Sequence, residues 1–442
     1  MASKLGRLAK LGGLTTRVSG SYLGQRMAGL FQNEEARNSA MGKLHIDNAE
    51  RIVANLGALK GAAMKVGQAV AQIVDGIDLP GEAKEILGKL HDRAEPVPFD
   101  VVRARVESEL GGDIDALFTR FDRAPLGTAS LGQAHGARLP DGSEVVVKVL
   151  HPGVEDSVAS DLSALKRMIV GARVLRRPKE ELDAIFAEIE ARLAEEIDYR
   201  LEAQNLTAFR RRFVGDDDVS IPRVHEGWST GKVLCMERLQ GKPLGVFVAT
   251  GSREAKQRAG VTLGRTFLTM LYRDRAIHAD PHPGNYLFTP DGKVGILDFG
   301  CVRYFDIGFV HDYGTCGYTT RHGDREGLMV AALKLGALMK RDPGAEDTLW
   351  ELCRSIGIPF RDGPYTMGEN TDNAHERIAA IMPRVMINPV LRAPSQLTFL
   401  HRGLGGTYQL ARQLKARADW GDIFETQFLK CRQDLRGSTA AI

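Results

Sequence analysis

The sequence has 442 residues, enough for two or three domain-sized units with ample surface to bury. Its 59 lysines and arginines nearly balance its 56 aspartates and glutamates, and a net charge of +3 argues against a nucleic-acid-binding protein. The five cysteines are scattered without CxxC spacing, which argues against a disulfide framework or a zinc site and fits a reducing compartment.

The amino-terminal arm, residues 1–33, contains five basic residues and no acidic residue. It lacks the apolar core of a signal peptide, and the chain contains no run of ~18 apolar residues that would span a membrane. We interpret the arm as a disordered or docking segment, with contact to an anionic membrane surface and organellar targeting as the alternatives. The expected location is the cytoplasm, with the protein either free or peripheral to a membrane.

Residues 34–115 are predicted to form a helical extension that precedes the catalytic region. A helix over 47–77 contains the run LKGAAMKVGQAVAQIV, in which Lys65, Gly67 and Gln68 lie among small residues. Glycine inside a helix costs roughly 1 kcal/mol relative to alanine, so its repeated use here indicates close approach to another surface. The alternative is a plain alanine and glycine helix on which Lys65 reaches out to water.

Residues 116–240 have the pattern of a small sheet domain. A strand over 131–139, a turn dipeptide Asp-Gly at 141–142 and a strand over 144–150 follow one another. The second strand contains the run VVVK, which ends at Lys148. We expect Lys148 to face the phosphates of a nucleotide, and the alternative is a surface lysine at a strand edge.

The turn before these strands, PLGTASLGQAH at 125–135, stands where a glycine-rich loop covers the phosphates in protein kinases. Its smaller number of glycines predicts a stiffer turn, with less room for the backbone to wrap phosphates. Transfer to a protein hydroxyl is correspondingly less favoured. The residues predicted to bind the nucleotide here are Gly127, Thr128, Ala129 and Ser130.

Apolar residues at steps of three and four predict one long amphipathic helix over 178–205. Pro178 suits the first turn of such a helix. Several carboxylates lie along it, and most of them must be solvated surface charges. Periodicity alone does not choose which carboxylate meets Lys148.

A strand over 232–236 is followed by a short segment that looks like the hinge between two lobes. Backbone groups of Glu237 and Leu239 in this segment would bind the adenine edge of a nucleotide. Residues 241–442 are then predicted to form a second, mainly helical lobe, which begins with a helix over 253–275.

The stretch HADPHPGNYLFTPDGKVGILDFG, residues 278–300, places polar side chains around a predicted hairpin with an Asp-Gly turn. The spacing His-x-Asp-x-x-x-x-Asn followed by Asp-Phe-Gly is the order of the catalytic and metal-binding loops of protein kinases. Asp280, Asn285 and Asp298 would converge at one end of the hairpin, and the last two offer the oxygen ligands that Mg²⁺ prefers. The alternative is a polar turn followed by an incidental tripeptide.

Residues 301–442 are predicted to be mainly helical. The expected breaks lie at four prolines, Pro364, Pro383, Pro389 and Pro394. The stretch FLHRGLGGTYQLARQL, residues 399–414, mixes aromatic and basic residues at helical spacing. Core packing is the preferred interpretation of this stretch, and a groove that faces an isoprenoid lipid is the alternative.

Six segments together resemble the UbiB-like (AarF/ADCK) atypical kinase family. They are KVGQ at 65–68, the Ala/Ser loop at 127–130, VVVK at 145–148, EIDYRLEAQN at 196–205, HADPHPGN at 278–285 and LDFG at 297–300. The KxGQ helix, the E-x-D element and the D-P-H-P-G-N run are not found together in ordinary protein kinases. The resemblance implies an α+β, bilobal protein-kinase-like fold whose helical amino-terminal extension packs over the active site.

The resemblance also implies roles for individual residues. Asp280 matches the catalytic aspartate, and Glu202 would pair with Lys148. Asn285 and Asp298 match the Mg²⁺ ligands. The residues of the implied inhibitory contact are Lys65, Gly67 and Gln68 on one side, and Glu196 and Asp198 on the other. The turn at 127–130 is poorer in alanine than is usual in the family, which leaves the nucleotide preference open.

The function implied by the resemblance is an ATPase, or a phosphotransferase acting on a small or lipid acceptor, with ATP and Mg²⁺ as cofactors. Such an activity would support ubiquinone or other isoprenoid-lipid metabolism. The first alternative is a nucleotide-gated protein that binds a lipid or a partner protein, and a protein kinase is the second. Lipid, a membrane surface, a second copy of the chain and a biosynthetic complex all stay open as partners, whereas nucleic acid is not expected.

Overall fold

The computed structural model describes residues 96–128, 131–155, 179–369 and 373–439, together with Ser21, Leu162, Ser163 and Lys166. The chain divides into two compact units. The first comprises Met1–Ala203 and Val224–Arg238, and the second comprises Gln204–Arg223 and Leu239–Ile442. Both contain helices and strands, so the predicted α+β class is confirmed. The predicted helix at 47–77 and, apart from Ser21, the arm at 1–33 lie outside the described residues.

An antiparallel sheet forms the centre of the first unit. Its strand order is β1-β3-β4-β6, and β2 also pairs with β3. The strands are β1 (Arg120–Phe121), β2 (Gly127–Thr128), β3 (Gly132–Arg138), β4 (Glu144–Leu150) and β6 (Val233–Glu237). Strands β3, β4 and β6 confirm the predictions at 131–139, 144–150 and 232–236 to within one residue at each end.

Alternation along β4 decides which of its side chains enter the core. Val145, Val147 and Val149 are buried and pack with Val102 and Val106. Those two residues belong to helix α1 (Phe99–Leu110). Because neighbouring residues of a strand point to opposite faces, Lys148 lies on the face of the sheet away from this core.

The predicted helix over 178–205 is in fact two helices, α3 (Lys179–Glu196) and α4 (Tyr199–Arg212), and the expectation of one continuous helix was wrong. Asp198 Oδ1 accepts a hydrogen bond from the Arg200 amide at 3.0 Å, which caps the second helix. The Tyr199 amide donates to the Gly231 carbonyl at 2.9 Å instead of continuing α3. The short helix α2 (Ile114–Leu117) completes this part of the chain.

The described residues of the second unit form three small sheets. The largest has the order β5-β10-β9-β7, and the others pair β11 with β8 and β12 with β13. The strands are β5 (Val219–Ser220), β7 (Lys242–Pro243), β8 (Ala276–His278), β9 (Tyr286–Phe288), β10 (Val294–Ile296), β11 (Val302–Tyr304), β12 (Tyr365–Thr366) and β13 (Arg417–Ala418). Strands β9 and β10 are the predicted hairpin, and Gly292 in its turn has a φ of +85°.

Helices form the core of the second unit around a long central helix, as the sequence indicates. The described helices are α5 (Leu244–Thr250), α6 (Arg253–Tyr272), α7 (Ile307–Arg321), α8 (Arg325–Leu335), α9 (Pro343–Ile356), α10 (Ala374–Ile387), α11 (Ser395–Gln413) and α12 (Trp420–Thr439). The break predicted at Pro383 was wrong, because this proline lies inside α10. Pro383 and Ala379, whose carbonyl loses its helical partner, are both exposed, so water can satisfy that carbonyl.

Candidate active site

An ion pair in the first unit joins Lys148 of β4 to Glu202 in the first turn of α4. Lys148 Nζ lies 2.5 Å from Glu202 Oε1. The side chains of Lys148 and Glu202 are only 16% and 6% exposed. Among the carboxylates of the predicted helix, the structure therefore places Glu202 against Lys148, which periodicity did not decide. A buried charge without a partner costs free energy, so each group of this ion pair stabilises the charged form of the other.

A cross-strand row connects Lys148 to the predicted nucleotide turn. Gly127 is opposite Ala134, and Ala134 is opposite Lys148. Directly paired residues of antiparallel strands share a face of the sheet, so Gly127 and Lys148 lie on the same face. A Cβ atom at Gly127 would meet nothing within 4 Å, so this position has open space above it. Thr128 ends β2, and Ala129 and Ser130 lie outside the described residues.

The predicted hinge falls where the chain passes from one unit to the other for the third time. Glu237 is the last residue of β6 and is opposite Val145. The first unit ends at Arg238, and Leu239 begins the next segment of the second unit. Nucleotide binding by the backbone of Glu237 and Leu239 stays a prediction.

In the second unit, Asn285 connects the loop that contains Asp280 to the segment that precedes Asp298. Its Nδ2 donates to the Asp280 carbonyl at 3.0 Å, and its own carbonyl accepts from the Leu297 amide at 2.9 Å. The second bond places Asn285 beside the residue before Asp298. Because the amide nitrogen is used by Asp280, the oxygen of the Asn285 side chain is the atom offered to a cation. These two bonds link the Asp280 loop and the segment that ends at Asp298 through Asn285, and the convergence of the three side chains on a metal stays a prediction.

Asp298 is held in a tight turn of its own. Its Oδ1 accepts a hydrogen bond from the Gly300 amide at 2.9 Å. The ring of the intervening Phe299 is completely buried and stacks on Phe209, with ring centroids 4.8 Å apart. Burial raises the pKa of the Tyr286 phenol, and the carboxylates of Asp280 and Asp298 raise it further. Both carboxylates are therefore near enough to the buried Tyr286 phenol to raise its pKa.

Arg402 is a contact that the sequence reasoning missed. Its Nη2 lies 3.2 Å from Asp280 Oδ1, and the two side chains are 41% and 43% exposed. Arg402 belongs to α11, whose Gly403 and Gly406 approach the same loop closely. A Cβ atom at Gly403 would lie 3.4 Å from the His278 carbonyl, and one at Gly406 would overlap the Pro281 ring. The sequence feature that could have indicated this close approach is the unusual run HRGLGG.

The predicted regulatory contact is described on one side only. Lys65, Gly67 and Gln68 lie outside the described residues. Glu196 is the last residue of α3, and Asp198 caps α4 through its side chain. A structural role for Asp198 is therefore present, and the inhibitory roles of both acidic residues stay predictions.

The residues of the second unit fit a magnesium ion that arrives with its nucleotide. In the described part of the chain, no group of three or more His, Cys, Asp or Glu side chains forms a complete metal cage. Mg²⁺ prefers oxygen ligands and is usually held by one or two carboxylates plus phosphate oxygens, without a dedicated cage. The Asn285 and Asp298 oxygens match that partial set.

Comparison with known proteins gives a consistent result. The ABC1 atypical kinase-like domain matches residues 89–332. Atypical kinase COQ8, mitochondrial, of Saccharomyces cerevisiae is 29% identical over 431 residues, which cover 94% of this chain and 85% of that protein. Atypical kinase COQ8B, mitochondrial, of Rattus norvegicus is 30% identical over 440 residues, with coverage of 97% and 81%.

Two further similarities extend the comparison. Probable protein kinase UbiB of Pseudomonas paraeruginosa is 34% identical over 249 residues, which are 55% of this chain and 46% of that protein. A solved structure of the Rv3197–erythromycin complex from Mycobacterium tuberculosis superposes with a TM-score of 0.61 at 27% identity. The alignment covers 88% of this chain and 97% of that chain.

Proposed function

The chain belongs to the ABC1 atypical kinase-like family, and from this premise we propose that it binds Mg-ATP and acts on the γ-phosphoryl group. The reaction is ATP hydrolysis or transfer to a small or lipid acceptor, in support of ubiquinone or other isoprenoid-lipid metabolism. The observation that carries the proposal is the bonding of Asn285, which links the Asp280 loop to the segment that ends at Asp298.

Each candidate residue has a distinct task in this proposal. Asn285 and Asp298 would hold Mg²⁺, which, when bound, neutralises and orients the phosphates. The Asp280 carboxylate would orient the attacking hydroxyl or water and accept its proton. Lys148 would bind phosphate oxygens, and Glu202 would keep its ammonium group in place. Catalysis of this kind consists of positioning and charge stabilisation.

The test is Mg²⁺-dependent phosphate release from ATP by the full chain, compared with Asp298→Asn. We expect release that requires Mg²⁺ in the wild type and falls at least ~100-fold in the variant, which corresponds to about 2.7 kcal/mol of transition-state stabilisation. Nucleotide binding is measured in parallel with circular dichroism as the check of folding. Equal release by the two folded proteins would refute the assignment of Asp298.

A nucleotide-gated binding protein is the alternative that the same experiment addresses. Nucleotide binding without turnover in any condition would favour it over an ATPase. A protein kinase is less well supported, because the chain passes from Asp298 through β11 directly to α7, which begins at Ile307. Protein kinases place a long activation loop after the Asp-Phe-Gly motif.

We also propose peripheral contact with an anionic membrane, supported by an exposed patch on the second unit. Ile387 and Met386 at the end of α10 are 82% and 63% exposed, and Met339 is 50% exposed. The Met339 amide donates to the Val390 carbonyl, which brings the two segments together. Lys340 and Arg392 are exposed beside them, a combination that suits anionic lipid headgroups. No helix among the described residues is long and apolar enough to cross a membrane.

Sedimentation with phosphatidylglycerol vesicles tests the patch. Ile387→Asp should weaken binding, because it places a negative charge at the apolar contact. Val214→Asp is the matched control, since Val214 is 79% exposed on the same unit but is followed by Asp216, Asp217 and Asp218. Equal loss of binding in the two variants would contradict a specific role of this patch.

A further inference from the structure

We infer that Asn205 is a positioning residue for the metal-binding aspartate: it holds the peptide group between Phe299 and Gly300 and thereby orients the Asp298 carboxylate. The inference rests on the proposed function, because it assigns Asp298 to Mg²⁺. Asn205 is the last residue of the segment EIDYRLEAQN, and it received no role from the sequence. It lies on α4, in the part of that helix that belongs to the second unit.

The contacts of Asn205 fix the orientation of its side chain. Nδ2 donates to the Phe299 carbonyl at 3.0 Å, and Oδ1 accepts from the Tyr304 hydroxyl at 3.2 Å. Asn205 is only 7% exposed. A backbone carbonyl can only accept, so the amide nitrogen must face Phe299, and the Tyr304 hydroxyl satisfies the opposite end. A buried amide with both ends bonded is held in one orientation.

One rigid peptide group connects this contact to the carboxylate. The Phe299 carbonyl and the Gly300 amide belong to the same planar trans peptide, so they point in opposite directions. Asn205 holds the carbonyl end, and the amide end donates to Asp298 Oδ1 at 2.9 Å. Rotation of this peptide would break both hydrogen bonds together. Asn205 therefore acts on Asp298 through two hydrogen bonds and the planar peptide group that lies between them.

The same helix also fixes the ring of Phe299. Phe209 lies four residues after Asn205, on the same face of α4, and its ring stacks on the Phe299 ring. The His278 ring meets Phe299 edge to face, with centroids 5.6 Å apart. Ring and carbonyl are thus held independently, so loss of the Asn205 bond should free the peptide while the ring stays in place.

The experiment combines two measurements on the full chain. The first is hydrogen–deuterium exchange of the Gly300 amide, and the second is the Mg²⁺ concentration that gives half-maximal ATP-analogue binding. Asn205→Leu removes the hydrogen bonds at similar volume, and Asn205→Asp keeps the shape but presents an acceptor to the Phe299 carbonyl. We expect at least tenfold faster exchange and a roughly 10- to 100-fold higher Mg²⁺ requirement in both, the usual range for a residue that orients a metal ligand.

The matched control is Thr348→Val. Thr348 is also buried in the second unit, 7% exposed, but its hydroxyl bonds the Gly344 carbonyl within α9. This variant should change neither the Gly300 exchange nor the Mg²⁺ requirement. An equal effect of Thr348→Val would reduce Asn205 to a structural role and overturn the inference.

The outcomes separate this inference from the proposed function. Unchanged Gly300 exchange in folded Asn205 variants overturns the inference, whatever the nucleotide does. Faster exchange with an unchanged Mg²⁺ requirement also overturns it, provided that Asp298→Asn abolishes the Mg²⁺ effect. If Mg²⁺ has no effect on the wild type, the proposed function fails, and the Gly300 exchange alone decides whether Asn205 orients Asp298.

Discussion

In the first unit, Lys148 and Glu202 form an ion pair at 2.5 Å, and their side chains are only 16% and 6% exposed. In the second unit, by contrast, the Asp280 side chain is 43% exposed and its carboxylate lies 3.2 Å from Arg402. The first contact is buried and shielded from solvent. The second is open, and the neighbouring Asp298 is held by a backbone amide of its own turn.

The difference indicates that the two units use charge for different purposes. Breaking a buried ion pair costs stability, because the remaining charge stays buried without its partner and without hydration. An exposed pair contributes little to stability, because water and salt screen it. We therefore expect substitution of the buried pair to change stability as well as activity, and substitution of the exposed pair to change activity with little effect on stability.

The largest expected effect is the removal of Glu202. Glu202→Ala leaves Lys148 charged and buried, which should cost about 3–5 kcal/mol in the free energy of unfolding. Urea denaturation followed by circular dichroism measures this cost. A loss below about 1 kcal/mol would mean that solvent reaches Lys148 far more easily than its 16% exposure indicates.

The double variant Lys148→Met, Glu202→Leu is the matched control for this prediction. It removes both charges and fills the same space with apolar groups, so it should recover most of the stability lost in Glu202→Ala. ATP turnover should be abolished in the double variant, because no ammonium group remains to bind phosphate. Recovery of stability without recovery of activity would separate the two roles of the pair.

A smaller effect is expected where α11 meets the catalytic loop. A Cβ atom at Gly406 would overlap the Pro281 ring, so Gly406→Ala must displace the loop that carries Asp280. Overpacking of this kind costs about 1–3 kcal/mol, and ATP turnover should fall as well. Differential scanning calorimetry and phosphate release measure the two effects.

Gly405 provides the comparison within the same turn of helix. A Cβ atom at Gly405 would meet nothing within 4 Å, so Gly405→Ala should stabilise the protein by up to about 1 kcal/mol through helix propensity. Its turnover should match that of the wild type. Destabilisation by both alanines would show that α11 does not tolerate the change for reasons other than contact with Pro281.

The exposed pair in the second unit should show the weakest effect on stability. Arg402→Gln removes the partner of Asp280, but both side chains are more than one third exposed, so the expected cost in the free energy of unfolding is about 0–1 kcal/mol. ATP turnover should fall more clearly, because the carboxylate loses a restraint on its position. Destabilisation comparable to that of Glu202→Ala would remove the contrast between the units.

Local patterns in the sequence were sufficient to predict the positions of the strands and hairpins. Asp-Gly dipeptides marked the turns at Gly142 and Gly292, and these glycines have φ values of +86° and +85°. The first of these dipeptides separated β3 from β4, and strand-like residues located β6. Short-range rules work here because the turn conformation and the face of each strand are decided by residues close together in the chain.

Long-range contacts and local interruptions were not predictable in this way. Arg402 and Asp280 are 122 positions apart, and no periodicity connects them. The break before α4 was missed because the apolar spacing continues through Asp198, whose side chain caps the new helix. The importance of Asn205 depends on where Phe299 lies, and that is a property of the folded chain.

The last prediction concerns a buried polar cluster in the first unit and its response to pH. Gln133 Oε1 accepts from the Val97 amide at 2.8 Å and lies 3.3 Å from His151 Nε2. Gln133 Nε2 lies 2.8 Å from His135 Nε2, and His135 Nδ1 lies 2.7 Å from the Asp122 carbonyl. The carbonyl only accepts and the amide nitrogen only donates, so His135 is neutral with its proton on Nδ1.

Burial lowers the pKa of His135 and of His151, so the folded chain keeps both neutral where the unfolded chain takes up protons. An unfolded histidine has a pKa of about 6.5. The contribution of the cluster is therefore fully present above about pH 6.5 and is lost as pH falls below it. Protonation of His135 would also place an N–H donor at His135 Nε2, opposite the donor at Gln133 Nε2. Rotation of the Gln133 amide by 180° would remove this conflict but would break the hydrogen bond from the Val97 amide.

Urea denaturation between pH 5 and 7.5 measures this dependence. His135→Phe should reduce the slope of stability against pH, because it removes one titrating group and places a ring among Phe99 and Phe121, which already surround His135. The absolute stability of the variant is not the relevant quantity, since the substitution removes the His135 partner of Gln133 Nε2 and of the Asp122 carbonyl. A slope equal to that of the wild type would show that acid sensitivity arises elsewhere, and the second unit would then be the place to look.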